Sequence, residues 1–256
     1  MMDFRDVEHF KTECGYDFDD GWYPRVTKIV GIKAKPALYY FYAKMPSFGA
    51  AEQMKNQSAV EGTLVHDTIE GLLTGKTPVI SPSIQASVDS FVRFLDEKQI
   101  QVDPNYVEYR LHHPEHRYAG TLDAIATIGG KKGIMDIKTS QAIYRDYGLQ
   151  TSAYMAAMKP LIPELQMRWI LRIDQDQACQ WCGARLRKKG GRDVIRSNRS
   201  NYNDVRNCSA HIWGPMEGHV EIQEFPNWEK DFEAFLGAKR LWEWEHEEWL
   251  NKVGYV

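Results

Sequence analysis

Between Ala50 and Leu73 the apolar residues Val60, Leu64, Val65, Ile69, Leu72 and Leu73 recur at spacings of three and four. That stripe predicts an amphipathic helix ending near Gly75. "SPSIQASVDSFVRFLDEK" (81–98) predicts a second helix, with Ser81 as N-cap and Pro82 at its first position. The period then changes. Residues 106–112, 118–128 and 133–139 read as three strands, and 144–159 return to helical spacing before Pro160. Strands are expected at 167–173 and 219–225, and a long amphipathic helix at 227–250. Near the start, "RVTKIVGI" (25–32) reads as a short β-prone run, and "PALYYFYAK" as a core-building helix begun after Pro36.

The strand pair around Gly129-Gly130 carries charges where a buried sheet should hold Val, Ile or Thr. Burying a carboxylate without a partner is costly. In "YAGTLDAIATIGGKKGIMDIKTS" (118–140) a two-residue turn at the glycines pairs residues whose numbers sum to 259, which sets Asp123 opposite Asp136. Lys138 lies two positions beyond Asp136 and shares its face. Like charges across a ladder destabilise it unless a cation lies between them, and a divalent ion on oxygen ligands supplies one. The alternative, a solvated Asp136–Lys138 pair on an exposed face, sits poorly with the flanking Ile125, Ile134, Met135 and Ile137.

Composition narrows the class. The 256 residues suffice for one domain over 1–256, with 43% hydrophobic and 26% charged residues as in soluble globular proteins. No apolar run approaches the roughly 18 residues of a membrane span. The beginning, "MMDFRDVEHFKTECGYDF", has none of the marks of a signal peptide, so an intracellular protein with no membrane partner is expected. There are only four cysteines, Cys14, Cys179, Cys182 and Cys208. Disulfides are thus not the expected use of them, and metal binding is the better use of any that cluster.

"GTLDAI" (120–125) followed by "DIKTS" (136–140) resembles the PD-(D/E)XK nuclease superfamily, and more closely its RecB-like exonuclease group. Two further features of that group occur in the expected order: a helix with Gly-x-x-x-His ("GTLVH", Gly62 to His66) and a later one with Gln-x-x-x-Tyr ("QTSAY", Gln150 to Tyr154). The likeness covers roughly residues 25–173, and the last helix is also similar to phage and mitochondrial genome-maintenance exonucleases. It implies an α/β fold with a restriction-endonuclease-like core, a mixed central sheet flanked by helices.

The implied activity is metal-dependent hydrolysis of DNA. By resemblance, His66, Asp123, Asp136 and the backbone carbonyl of Ile137 hold Mg²⁺ or Mn²⁺, the imidazole favouring the softer ion. Lys138 orients or deprotonates the attacking water and stabilises the transition state. Gln150 and Tyr154, four apart on one helix face, fix Lys138 or contact the phosphate backbone. His66 has to be neutral to ligate, which predicts a fall in activity below roughly pH 6.5. Glu108, just ahead of the hairpin, is a further candidate acid.

Residues 174–218 depart from a minimal exonuclease and read as a basic insertion, either a hairpin or a zinc-knuckle-like segment. "CQWC" (179–182) and "CSAH" (208–211) give Cys179, Cys182, Cys208 and His211 the ligand types and paired spacing of a structural zinc site. The same cysteines also fit small residues in a strand. With Cys14 they fit the order, though not the tight spacing, of the iron-sulfur cluster in some RecB-like nucleases of the CRISPR-associated type. Between the pairs, residues 185–206 hold eight Lys or Arg against two Asp. Arg185, Arg187, Lys188, Lys189, Arg192, Arg196 and Arg199 are thereby candidate contacts to a DNA backbone.

The combined expectation is a Mg²⁺- or Mn²⁺-dependent deoxyribonuclease, an exonuclease of recombination, repair or phage DNA metabolism. The runner-up is a non-catalytic DNA-binding or assembly protein on the same fold.

Overall fold

The computed structural model describes residues 4–197 and 202–255. The chain begins with α1 (Val7–Cys14), whose N-cap Asp6 accepts from the His9 N–H, and continues through β1 (Gly15–Phe18) and β2 (Gly21–Pro24). Helices α2 (Val26–Val30), α3 (Pro36–Ala43) and α4 (Phe48–Leu73) follow, the last capped by Ser47. Next come α5 (Gln85–Glu97), β3 (Gln101–Asp103), β4 (Tyr109–His113), β5 (Tyr118–Leu122), β6 (Ala124–Ile128) and β7 (Lys131–Lys138). The chain ends with α6 (Tyr147–Met158), β8 (Met167–Cys179), β9 (Arg185–Lys189), β10 (Arg192–Arg196), α7 (Tyr202–Asn207), β11 (Trp213–Glu224), α8 (Trp228–Glu245) and α9 (Glu247–Val253).

The fold is mixed α/β, with helices on both faces of a central mixed sheet. That sheet runs β10-β9-β8-β7-β6-β3, and β11 also pairs with β8. Its pairs are antiparallel except β7 with β8. The hairpin register is the expected one: Ala124 faces Met135 and Ile125 faces Ile134, around a turn in which both glycines take positive φ. Alternation sorts the strands' side chains onto two cores. Ile125 and Ile134 pack with Phe10, Val26, Tyr154, Phe235 and Trp242. Ala124, Met135, Ile137 and Leu171 pack on the other face with Val65 and Ile69 of α4 and Val88 and Phe91 of α5. Among the described residues no helix is long and apolar enough to cross a membrane.

Four local expectations are corrected. Residues 26–30 are helical, not a strand, because Val26, Ile29 and Val30 are spaced by three and four and all three are buried; that period overrides their β-branched propensity. α5 starts at Gln85 rather than after Ser81, because Gln175 of β8 takes over the start: its Oε1 accepts from the Ser87 N–H (3.1 Å) and its Nε2 donates to Ser83 O (2.5 Å). α3 builds no core, since none of its residues is buried. The expected strand 118–128 is broken at Asp123, where the chain leaves the β4-β5 ribbon and enters the main sheet.

The helix that carries Gln150 and Tyr154 is tied down by a buried charge. Arg168 of β8 is fully buried, and its guanidinium donates to Gly148 O (2.8 Å), Thr151 Oγ1 (3.2 Å), Pro226 O (3.1 Å) and Asp231 Oδ2 (2.9 Å). α6 and α8 are thus locked to the sheet through one side chain. Removing one partner of such a buried pair costs about 3–5 kcal/mol.

Candidate active site and metal centres

The break at Asp123 builds the candidate active site. Its carbonyl accepts from the Glu108 N–H at 3.0 Å, and its Oδ2 accepts from the Ile137 N–H at 2.6 Å. The β6-β7 ladder therefore ends at the Ala124–Met135 pair, and the Asp123 carboxylate occupies the place of a carbonyl. Asp123 and Asp136 are neighbours as expected, through a bend rather than a continuous ladder.

Asp136 is fully buried on β7. Its Oδ1 accepts from Gln150 Nε2 (3.0 Å), and the same nitrogen lies 3.1 Å from Tyr154 Oη. Its Oδ2 lies 2.5 Å from Lys138 Nζ, yet this buried oxygen makes no aligned hydrogen bond among the described residues. Burial raises the Asp136 pKa and Asp123 raises it further, against the pull of Lys138. Burial likewise raises that of Asp123, again opposed by Lys138. For Lys138 burial disfavours the charge, but Asp136 and Asp123 outweigh it and the ammonium is held protonated. Glycine makes room here: a Cβ at Gly120 would lie 2.5 Å from the Tyr154 ring, and one at Gly62 would lie 2.9 Å from Thr139 Oγ1.

His66 of α4, Glu108 and Asp123 each bring one ligand atom within 4.8 Å of the others. They line a cleft of ≈ 300 Å³ that also reaches Asp67, Glu70, Gln150 and Tyr154. Burial and then Lys138 lower the His66 pKa, so its imidazole is neutral. Burial and then the surrounding carboxylates, Asp123 first, raise Glu108 to about 7. Two carboxylic acids and one neutral imidazole, with the buried Asp136 carboxylate beside them, have the donor chemistry of a hard divalent cation. Asp136 lies outside the closest group, turned toward Lys138 and Gln150, and Ile137 is buried between Asp136 and Lys138. Glu108 joins the group that sequence reading drew without it.

The basic candidates divide. Arg187 is buried and donates to both Asp174 oxygens at 2.7 Å, and Arg185 pairs with Asp176 (2.5 Å) and Glu217 (2.9 Å). These two cations are spent inside the protein. Lys188 is exposed, and Lys189 donates to Thr139 O at 2.5 Å. The Lys189 pKa falls to about 8 through burial and then Arg187, while Arg196 is half-buried and its pKa is lowered, first by burial. Arg192 lies over the Phe41 ring, and Arg199 falls outside the described residues. Sequence reading missed a groove of ≈ 690 Å³ between α3 and the start of α6 that carries Lys33, Lys35, Lys44 and Arg192 against a single acid, Asp146. Tyr40, Tyr144 and Tyr147 line it too, and Lys138 Nζ lies 5.3 Å from the Tyr147 ring centroid. Its signal was the run "YYFY", whose aromatics hydropathy cannot tell from core residues.

Cys179, Cys182, Cys208 and His211 form a second group, again with one ligand atom each within 4.8 Å of the others. Cys14 is elsewhere, buried with Phe10 and Trp22 at the end of α1, its thiol pushed up to about 11 by burial. The four-cysteine arrangement that an iron-sulfur cluster would need is therefore not assembled from this residue.

Comparison with family models finds no match, and comparison with curated proteins finds none.

Proposed function

We propose that the protein is a metal-dependent DNA nuclease of PD-(D/E)XK type, similar to RecB-like exonucleases, with a restriction-endonuclease-like core. The observation that carries this reading is one cleft lined by His66 from α4, Asp123 from the bend, and Gln150 and Tyr154 from α6, with the buried Asp136–Lys138 pair of β7 joined to it through Gln150. A pure DNA binder has no use for acids held where they would repel phosphate.

His66, Asp123 and Asp136, with Glu108 beside them, would hold Mg²⁺ or Mn²⁺. When bound, such an ion lowers the pKa of a coordinated water and offsets charge on the scissile phosphate. Lys138, kept protonated by its two carboxylates, serves as an electrostatic clamp for negative charge developing on the phosphorus oxygens rather than as a general base. Gln150 fixes the carboxylate of Asp136 through Oδ1 and leaves Oδ2 turned to Lys138. The groove of Lys33, Lys35, Lys44 and Tyr40 is also lined by Tyr147, whose ring lies 5.3 Å from Lys138 Nζ, and it suits a strand whose bases stack while its phosphates are neutralised. The sulfur-rich group has the donor chemistry of zinc and takes no part in this reaction.

End-labelled single-stranded and duplex DNA, incubated with Mg²⁺, with Mn²⁺ and with neither, tests the reading. Metal-dependent release of short products is the expected result. Intact DNA in every arm, from protein that binds Mn²⁺ at this cleft, would leave the non-catalytic binder in its place.

A further inference from the structure

We propose that Cys179, Cys182, Cys208 and His211 bind one zinc ion, and that this ion clamps the base of the β9-β10 hairpin so that Lys189 stays against Thr139. The proposal does not rest on the nuclease reading.

The two ligand pairs sit on two turns that face each other. Cys179 ends β8; its N–H donates to Ala184 O at 2.7 Å and its carbonyl accepts from the Gly183 N–H at 3.0 Å, a tight turn that carries Cys182 back over Cys179. After α7 the Cys208 N–H bonds to Val205 O at 3.3 Å, and the Gln180 N–H reaches across to Ile212 O at 2.9 Å, tying the second turn to the first. Cys182 Sγ and His211 Nδ1 lie 3.4 Å apart. A tetrahedral zinc with Zn–S of about 2.3 Å and Zn–N of about 2.0–2.1 Å sets that edge at about 3.6 Å, so the pair already stands at ligand spacing.

The competing uses fit less well. As small core residues the cysteines should be scattered among apolar neighbours, but their own cluster is only Cys179, Cys182 and Ala184, with Val205, Cys208 and Trp213 against it. A disulfide would use two of them and leave a thiol and an imidazole facing each other with no purpose, and no disulfide joins any of the four cysteines. Polar, Gly-bearing segments of this length do not order themselves by apolar burial alone, and a structural metal supplies the missing free energy.

The clamp has a target. β9 pairs with β8 through Gln177–Leu186 and Ala178–Arg185, at the root of the hairpin, next to the cysteines. At its far end the Gly190 N–H donates to Glu61 Oε2 of α4 at 2.9 Å, and Lys189 Nζ donates to the carbonyl of Thr139, which directly follows Lys138. A short root steers a long arm, so its direction depends on what fixes the turns at Cys179–Ala184 and Cys208–Ile212.

The test uses the full chain purified under reducing conditions. Elemental analysis should find one zinc per chain and no iron, and Co²⁺ exchanged into the site should give thiolate-to-cobalt charge-transfer absorption with tetrahedral d–d bands. Cys182→Ser and Cys208→Ser should lose the zinc, whereas Cys14→Ser should keep it. Limited proteolysis of zinc-depleted wild-type protein should cut within 180–212 at least about tenfold faster than the zinc form while the sheet stays intact. Failure to take up zinc or cobalt on reconstitution overturns the site, as does stoichiometric iron or a Cys179–Cys182 disulfide in the reduced preparation. Equal protease resistance with and without zinc overturns the clamp. None of these readouts depends on DNA cleavage.

Discussion

The molecule carries two donor groups of opposite character. One is made of carboxylates and an imidazole set on the central sheet, where the β6-β7 ladder, the buried Arg168–Asp231 pair and the packing of α4 hold each side chain whether or not an ion is present. The other is made of three thiols and an imidazole on two turns, with few apolar neighbours. A rigid scaffold can store like-charge repulsion, and a pair of turns cannot. Metal at the first group should change chemistry and little structure, and metal at the second should change local structure and no chemistry.

The sharpest way to break this contrast is Asp136→Asn or Lys138→Ala. Cleavage should fall by roughly 10³-fold or more in either variant, as when a preorganised charge is removed from a transition state. The Tm without metal should stay within a few degrees, because burial and Asp123 already disfavour the ionised Asp136. Mn²⁺ should raise the Tm of the wild-type protein and not that of Asp136→Asn. Cleavage within about tenfold of the wild-type rate in either variant would remove this cleft from the chemistry.

Gln150→Ala should cost less, about 10- to 100-fold in Mn²⁺ affinity or rate, since it only orients Asp136. Full activity in that variant would show that Asp136 needs no second anchor.

Acid should then separate the ligands within the first group. The sequence ties the acid limb to His66 near pH 6.5, but burial and Lys138 lower its pKa, so it stays neutral as pH falls. Glu108, raised to about 7, and Asp136 and Asp123, whose values are also raised, take up protons ahead of it. A carboxylate whose folded pKa is raised contributes stability that is present below its unfolded pKa of about 3.9 and lost as pH rises through the folded value. The metal-free protein should therefore lose this contribution between about pH 4 and neutrality, and Mn²⁺ should restore it. Activity should decline with acid through loss of the metal, and His66→Asn should lower the rate without moving that limb. A limb displaced in His66→Asn would return the titration to the imidazole.

What the sequence disclosed follows the same division. The hairpin register was legible because a two-residue turn leaves no freedom in pairing, and of the residues whose order suggested a common site, His66, Asp123, Gln150 and Tyr154 line one cleft, while Asp136 and Lys138 lie behind Gln150. The bend at Asp123 was not legible: it depends on the Glu108 N–H and on the β4-β5 ribbon, contacts that periodicity does not encode. For the same reason Glu108 stayed a marginal candidate until the bend drew it to His66. The basic run 185–206 was visible as charge, but Asp174, Asp176 and Glu217, which neutralise Arg185 and Arg187, lie on strands paired only in three dimensions. Helix α3 misled because "YYFY" has the hydropathy of a core and Tyr39 and Tyr40 are 61% and 71% exposed.

The smallest expected effects lie in the groove where the two regions meet, since Arg192 comes from the β9-β10 hairpin and Tyr40 from α3. Tyr40→Ala should weaken single-stranded DNA binding by roughly fivefold, the lower end of the 1–3 kcal/mol of a base-stacking contact, and leave the salt slope unchanged. Arg192→Ala should reduce the slope of log K against log salt by about one, through loss of one phosphate contact, with only a modest change at low salt. Removing zinc should mimic Arg192→Ala and not Tyr40→Ala, because the clamp holds the hairpin and not α3. Fluorescence anisotropy of a labelled oligonucleotide across a salt series distinguishes the two. A zinc-free protein with the wild-type slope would mean that the hairpin keeps Arg192 in the groove without its clamp.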